Sequence, residues 1–361
     1  MKKVLIYQIG SIGDTILTIP AILSVKRHFG KEARYYLVHN SSEPNIANPG
    51  DVLKGTGIID NFFEYDIPQK WYALICSIVK LWFRLFTVRF DHVIYLAPSE
   101  RPRTSVWRDR LFFKSCRIKK LWGFYPLSKN ILYPRQSNGQ IGRVRHESLC
   151  RLDRLKKGGI DISLEENMDK PYLVLPEGQY LEGSRWLSEH RRHPGRQLIA
   201  VCPGAKQDAN FWPVDRFREV GCRLVHTKRY EIIVVGGPAE KDDAETLIRD
   251  EAAHLSAAGL FSPLGSAVLL KHCRFMIGLD TGTMHLAAIC GVPCVALFSA
   301  HGYPGRWDPL GKCHVVIRTH VPCEGCQLLI CPVPGHPCMS RITVDQVLSA
   351  IQQMERNLDV S

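Results

Sequence analysis

The stretch QIGSIGDTILTIPAI, residues 8–22, follows a short β-branched run, Val4–Gln8, and opens a helix-period pattern that continues to Phe29. Strand, glycine turn and helix in that order is the opening unit of a parallel α/β sheet. The turn fails as a dinucleotide fingerprint, which needs G-x-G-x-x-G and an acid about 20 residues on. Here the glycines are Gly10 and Gly13 without a third, and the next strand, Ala33–Val38, runs into His39. It fails as a Walker loop too, since no Gly-Lys-Ser/Thr follows. What stands out is Asp14, where the strand gives way to the helix. A helix N-cap and a general base at the ligand-facing end of the sheet both fit that position.

The chain has 361 residues, long for one core, so two domains are expected. An apolar share of 45% with 23% charged residues marks an ordinary globular protein, not a disordered or fibrous one. The net charge of +12 calls for an anionic partner: nucleic acid, an acidic membrane surface or a phosphorylated small molecule. No secretory signal is legible, because Gly10, Gly13 and Asp14 interrupt the first apolar run. The 13 cysteines are scattered except for one late cluster, as expected of reduced thiols in the cytoplasm. The most apolar stretch, Trp71–Val88, carries Lys80 and Arg84. It reads as a helix packed on the sheet, with a membrane interface as the second reading, and not as a span.

Strand and helix patterns alternate throughout. Further strands are expected at 91–96, 119–123, 198–202, 231–235, 275–278, 292–298 and 314–317, and helices at 15–29, 214–227, 240–251 and 281–290. The rhythm restarts after the polar segment Leu175–Gln197, which holds a Pro-Gly break. Two similar α/β domains with parallel sheets are therefore expected, at 1–176 and 177–361. The last helix, 343–356, opens with a capping box, Thr343 and Gln346, and could pack back on the N-terminal domain.

The second half carries the richer motif. In GLDTGTMHLAAICGVP, residues 278–293, a strand delivers Asp280 to a turn, and Thr281, Gly282 and Thr283 open a helix. Free N–H groups, the helix dipole, two hydroxyls and His285 make a diphosphate site; a capped helix with a core histidine is the plainer reading. Gly204, Ala205 and Lys206 form a second loop after a strand, and Gly236, Gly237 and Glu240 a third. Three such loops in one domain read as a nucleotide cleft.

With these residues assembled, the chain resembles glycosyltransferase family 9, the ADP-heptose:lipopolysaccharide heptosyltransferases. The segments GSIGDTILTIPAI, PGAKQDANFWPVDRF, VVGGPAEKDDAE and GLDTGTMHLAAICGVPCVALF carry the resemblance in the family's order, with RHESLCRLDRLKKGGI as a weaker fifth. The resemblance implies a GT-B fold, two Rossmann-like domains facing a central cleft, with the acceptor on the N-terminal domain and the nucleotide sugar on the C-terminal one. It implies an inverting, metal-independent transfer of heptose or a related sugar to a lipopolysaccharide-type acceptor. Asp14 would be the catalytic base. Gly204, Ala205, Lys206, Thr281, Gly282, Thr283 and His285 would hold the diphosphate, Asp280 the donor sugar and Glu240 the ribose. Two positions depart from the family pattern: Asn210 stands where it has lysine, and Ser299-Ala300-His301 where it continues Gly-Pro-Thr.

Ser11 and Gly13 would let an acceptor approach Asp14. Arg101, Arg103 and Arg108, in the basic run 99–122, would attract an acidic or phosphorylated lipid-linked glycan. A peripheral position on the inner-membrane surface follows from such an acceptor. Cys323, Cys326, Cys331 and Cys338 have the spacing of a structural zinc knuckle, with free thiols or a disulfide as the other readings. Another nucleotide sugar, for O-antigen or capsule assembly, is the nearest rival function. A zinc-knuckle nucleic-acid-binding protein is the rival of another class, although no recognisable nucleic-acid module is present.

Overall fold

The computed structural model describes residues 1–41, 47–134, 141–162 and 173–360, which form two compact units. The described residues up to 134, with 144–162, make the first unit; residues 141–143 and 173–360 make the second.

The first unit begins with β1 (Lys3–Tyr7), α1 (Ile12–Ile16), α2 (Ile19–Phe29) and β2 (Arg34–Asn40). The single helix expected over 15–29 is thus two. Pro20 sits in the first turn of α2, where its missing N–H is an orphan anyway, so the helix restarts there. Next come α3 (Pro49–Leu53), β3 (Asn61–Tyr65), α4 (Trp71–Val88), β4 (His92–Tyr95), α5 (Arg103–Ser115) and β5 (Lys120–Trp122). The short α6 (Lys129–Leu132) and α7 (Glu147–Lys157) complete it. The five strands are parallel in the order β3-β2-β1-β4-β5. One core cluster joins Leu5, Tyr7 and Val93 of the sheet to Leu81 and Leu85 of α4 and to Val106 and Phe113 of α5.

The second unit runs α8 (Glu177–His190), β6 (Gln197–Cys202), α9 (Val214–His226), β7 (Tyr230–Val234), α10 (Lys241–Arg249) and β8 (Leu255–Ser256). It continues with α11 (Pro263–Lys271), β9 (Met276–Leu279), α12 (Gly282–Ile289), β10 (Cys294–Phe298) and β11 (Val315–Arg318). The short α13 (Pro337–Ser340) and α14 (Val344–Val360) close the chain. The six strands are again parallel, ordered β11-β10-β9-β6-β7-β8. Counted within each unit, both sheets follow the doubly wound order, 3-2-1-4-5 and 3-2-1-4-5-6. The strands β3 and β8 were not anticipated. The first follows a polar turn, and the second has two residues, too few to show a period.

Successive crossovers leave in opposite directions on either side of β1 and β4, and of β6 and β9. The loops at those strand ends part, and this is where open α/β sheets bind ligands. The sequence places Gly10–Asp14 at the first switch point and Gly204–Lys206 and Asp280–Thr283 at the second.

In the second unit Trp212 is fully buried, and its indole N–H donates to the Ile342 carbonyl at 3.1 Å. Arg216 donates to the carbonyls of Ser340 and Ile342. The Trp-Pro pair therefore ties the start of α9 to the turn before α14, whose Val347, Ile351 and Met354 join the same core. The capping box is present, with Gln346 Oε1 accepting from the Thr343 N–H and Thr343 Oγ1 from the Gln346 N–H. Trp212→Ala should destabilise this unit by about 3–5 kcal/mol in denaturant unfolding; a loss under about 1 kcal/mol would refute the anchoring role.

Candidate functional site

The candidate site of the first unit is built on the turn after β1. Gly10 has φ +122°, and a Cβ there would stand 2.5 Å from Asp14 Oδ2, so only glycine lets the carboxylate fold against the turn. Ser11, not Asp14, is the N-cap of α1. Asp14 is the third helical residue, and its Oδ2 accepts from the Ser11 N–H (2.9 Å) and the Ser11 hydroxyl (3.0 Å), while Ser11 Oγ accepts from the Asp14 N–H. The cap reading of Asp14 is corrected to the acid arm of a capping box.

The other carboxylate oxygen belongs to α7. Arg151, wholly buried, places Nη2 at 3.2 Å from Asp14 Oδ1 and donates through Nη1 to the Asp14 carbonyl at 2.6 Å. Its Nε donates to Glu147 Oε1 (2.9 Å), which also accepts from the Ser99 N–H in the loop after β4 (2.8 Å). Glu147 is fully buried, and this chain fixes Asp14 against the loops of both switch-point strands. Three donors leave part of a carboxylate's acceptor capacity open, and the Asp14 side chain keeps 16% of its surface exposed. That is the arrangement of an oriented base with one free edge. Asp14 was legible in the sequence; Arg151 and Glu147 were not singled out, although both lie in the quoted segment RHESLCRLDRLKKGGI. Their i, i+4 spacing on one helix was the available signal.

The other residues expected on this side separate. Gly13 is buried. Arg101 and Arg108 pair with Asp109, at 3.2 and 2.8 Å, and Asp109 also accepts from the Tyr95 hydroxyl at 2.9 Å. Arg103 lies exposed on α5, apart from that cluster. Tyr7, Tyr65 and Tyr95 each end a strand at the same edge of the sheet, with the Tyr7 and Tyr65 hydroxyls 3.3 Å apart. Burial pushes all three phenols above their ordinary range, so they remain neutral hydrogen-bonding groups.

The candidate site of the second unit assembles three loops. A Cβ on Gly204 would meet Glu240 Oε1 at 2.1 Å, and one on Gly236 would meet the Glu240 side chain at 3.0 Å. Two glycines thus cradle one carboxylate, a contact that the sequence separates by 36 and 4 residues (240 − 204 and 240 − 236). The buried Cys202 thiol at the end of β6 is pushed up to about 12, first by burial and then by Glu240. Thr281 is the N-cap of α12, accepting from the Met284 N–H at 3.4 Å. The eight residues of α12 then point unpaired first-turn N–H groups toward the loop, as an anion site requires. His285 is buried under Asp280, with Nε2 3.7 Å from Asp280 Oδ1, and its Nδ1 has no partner among the described residues. Ala205 packs on the core, while Lys206 is exposed on the same loop.

Asn210 and Ser299, the two departures from the family pattern, contact each other: both are buried, and the Ser299 hydroxyl donates to Asn210 Oδ1. The cysteine-rich segment braces this corner. Gly325 N–H donates to Ala300 (2.7 Å), Gln327 N–H to His301 (3.0 Å) and Ala209 N–H to Leu329 (3.0 Å).

Cys323, Cys326, Cys331 and Cys338, whose spacing fits a zinc knuckle, lie on the segment that runs into α13. All four are free thiols in this structure. Among the described residues no group of three or more His, Cys, Asp or Glu side chains is placed to hold a metal ion. The Cys338 thiol is pushed up by burial and by Cys331, Cys323 and Cys326, which lie within electrostatic reach of it. Cys323 and Cys326 lie exposed on the loop. Cys331 is half-buried and turns its thiol to the Val333 carbonyl at 3.9 Å. Cys338 is buried at the start of α13.

Residues 164–335 match the family model for glycosyltransferase family 9 (heptosyltransferase). Lipopolysaccharide heptosyltransferase 3 of Escherichia coli is 24% identical over 307 residues, covering 80% of this chain and 81% of the relative. Among solved structures, the family 9 glycosyl transferase of Veillonella parvula superposes with a TM-score of 0.76 at 18% identity, over 99% of this chain and 98% of the other. The ADP-heptose lps heptosyltransferase II of E. coli gives 0.69 at 18% identity, over 99% and 100%.

The buried charge chain yields a stability prediction. Glu147→Ala strips Arg151 of one carboxylate partner in a dry environment and should cost the first unit about 3–5 kcal/mol in denaturant unfolding. Glu147→Gln, which keeps an acceptor oxygen, should cost less; equal losses would show that hydrogen bonding through that oxygen contributes nothing.

Proposed function

The chain belongs to glycosyltransferase family 9, and from that premise we propose that it transfers a heptose from ADP-heptose to a lipopolysaccharide-type acceptor. The single observation that carries the reading is the Asp14 carboxylate, oriented by Ser11 and by buried Arg151 at the ligand end of β1, with one edge free. The acceptor hydroxyl gives its proton to Asp14 as its oxygen attacks the anomeric carbon in line. The bond from that carbon to the diphosphate oxygen breaks, ADP departs, and the configuration inverts. The α12 N-terminus, its Thr281 and Thr283 hydroxyls and Lys206 supply the positive potential that the departing diphosphate needs, so the transfer is metal-independent. Asp280, backed by His285, receives sugar hydroxyls, and Glu240 in its glycine cradle receives the ribose. A lipid-linked, acidic acceptor brings the reaction to the cytoplasmic face of the inner membrane.

The Asn210–Ser299 contact favours a second donor reading. A buried neutral pair stands where the family pattern carries a cation, and that changes what the pocket recognises near the phosphates. Purified protein offered ADP-heptose, GDP-sugars and UDP-sugars with a lipopolysaccharide-core acceptor should release ADP and form the inverted linkage. Turnover of a GDP- or UDP-sugar alone would discard the heptose assignment. Asp14→Asn, which keeps the cap geometry, should lower kcat by about 10²–10⁴-fold while ADP binding holds within about twofold. Full activity in that variant would sink the base assignment.

A further inference from the structure

The helix α4 has two apolar faces. Leu81 and Leu85 enter the core of the first unit. At 3.6 residues per turn, Trp71, Tyr72, Ile75, Ile78, Val79 and Phe83 fall on another side, within an arc of about 140°. All six are exposed, Trp71 to 74% and Phe83 to 62%. Packing on the sheet, the first reading of this segment, therefore accounts for only a minority of its apolar residues. The helix is held firmly nonetheless. Trp82 Nε1 donates to Ser115 Oγ at 3.0 Å, Ser77 Oγ donates to the Asp66 carbonyl at 2.8 Å, and Arg117 lies over the Phe86 ring.

The Trp82 and Phe86 contacts join α4 to the end of α5, whose outward face repeats the theme. Trp107 and Leu111 are exposed there to 60% and 59%, and Arg103, Arg110 and Lys114 flank them at helical spacing. Arg110 lies over the Trp107 ring. Across residues 70–120 there are twelve Lys and Arg against three carboxylates. Two of those carboxylates, Asp91 and Asp109, are already ion-paired within the unit.

We propose that the outer faces of α4 and α5 form a docking surface that seats the first unit in the interface of an anionic lipid bilayer. Aromatic and aliphatic side chains enter the headgroup boundary while the flanking Lys and Arg meet lipid phosphates. The charge decides between occupants: two copies of so basic a face repel each other, whereas an anionic bilayer attracts it. By length and composition α4 could cross a membrane. It lies flat instead, because β3 and β4, which it joins, are strands of one sheet and Leu81 and Leu85 are fixed in that unit's core. The surface rests on the glycosyltransferase reading only for its purpose, which is to meet a lipid-linked acceptor.

The test uses the full-length protein and vesicles of phosphatidylcholine, with or without about one-third phosphatidylglycerol. The protein should sediment with the anionic vesicles, and added salt should weaken the binding. The double variant Trp71→Ser/Phe83→Ser should bind at least about tenfold more weakly, with an unchanged circular dichroism spectrum and melting temperature. Arg110→Glu/Lys114→Glu should lose anionic selectivity. Wild-type protein left in the supernatant, or equal binding by Trp71→Ser/Phe83→Ser, overturns the proposal. So does resistance to alkaline extraction, which marks a span, or a dimer that dissociates in that variant without any vesicle binding. Sugar transfer to a delipidated acceptor separates the two readings. Vesicle binding without transfer defeats the enzyme assignment alone, and transfer without vesicle binding defeats this one alone.

Discussion

Both units depend on one constraint, the parting of the loops where a doubly wound parallel sheet changes direction. At β1/β4 and β6/β9 the crossovers leave to opposite sides, so the strand ends there are not roofed by the next connection. Each opening is bordered by the first turn of a helix, whose N–H groups lack intrahelical partners. The chemistry-bearing side chains collect there: Asp14 with Ser11, and Asp280 with Thr281 and Thr283. The two sites differ in charge. The first presents a carboxylate held by an arginine, and the second a helix N-terminus, with exposed Lys206 on the loop after the neighbouring strand β6.

The price of the first site is buried charge. Arg151 and Glu147 have side chains with no measurable exposure, a costly placement unless every partner is kept. The partners are kept by geometry, because Arg151 reads both the Asp14 carboxylate and the Asp14 carbonyl. Glu147 in turn reads a backbone N–H from the loop after β4. Position and orientation of the acid are thereby fixed by a residue 137 positions away in sequence. The second site uses shape instead: glycines at 204 and 236 leave a hollow for Glu240 that any larger residue would fill.

Much of the fold was legible, for particular reasons. Strands such as 231–235 and 292–298 are largely apolar runs with Gly at one end, and they appear within one or two residues of where the pattern puts them. The helix over 15–29 was read across Pro20 because its apolar period continues on both sides, while the backbone restarts. Asp14 was legible as a site, but its place in the cap was not, since Ser11 and Asp14 both suit an N-cap and only the backbone dihedrals choose between them. The Cys323–Cys338 spacing satisfied a zinc pattern. Spacing, however, carries no information on how deeply each thiol is buried. Here Cys338 is buried, Cys331 half-buried, and Cys323 and Cys326 stand on the surface.

The sequence by itself determined the class of fold, the positions of the glycine turns and the acid at the first of them. These are local matters of period, φ and capping, written within a few residues of one another. Only the tertiary structure decided what Asp14 pairs with, that Asn210 meets Ser299, and that Glu240 lies in a hollow made jointly by nearby Gly236 and distant Gly204. It also decided that α4 turns most of its apolar residues outward. An apolar period shows that a helix has a greasy face, but which neighbours cover that face is set by contacts between elements far apart in the chain. Here Leu81 and Leu85 find the core, while Trp71 and Phe83 find no cover among the described residues.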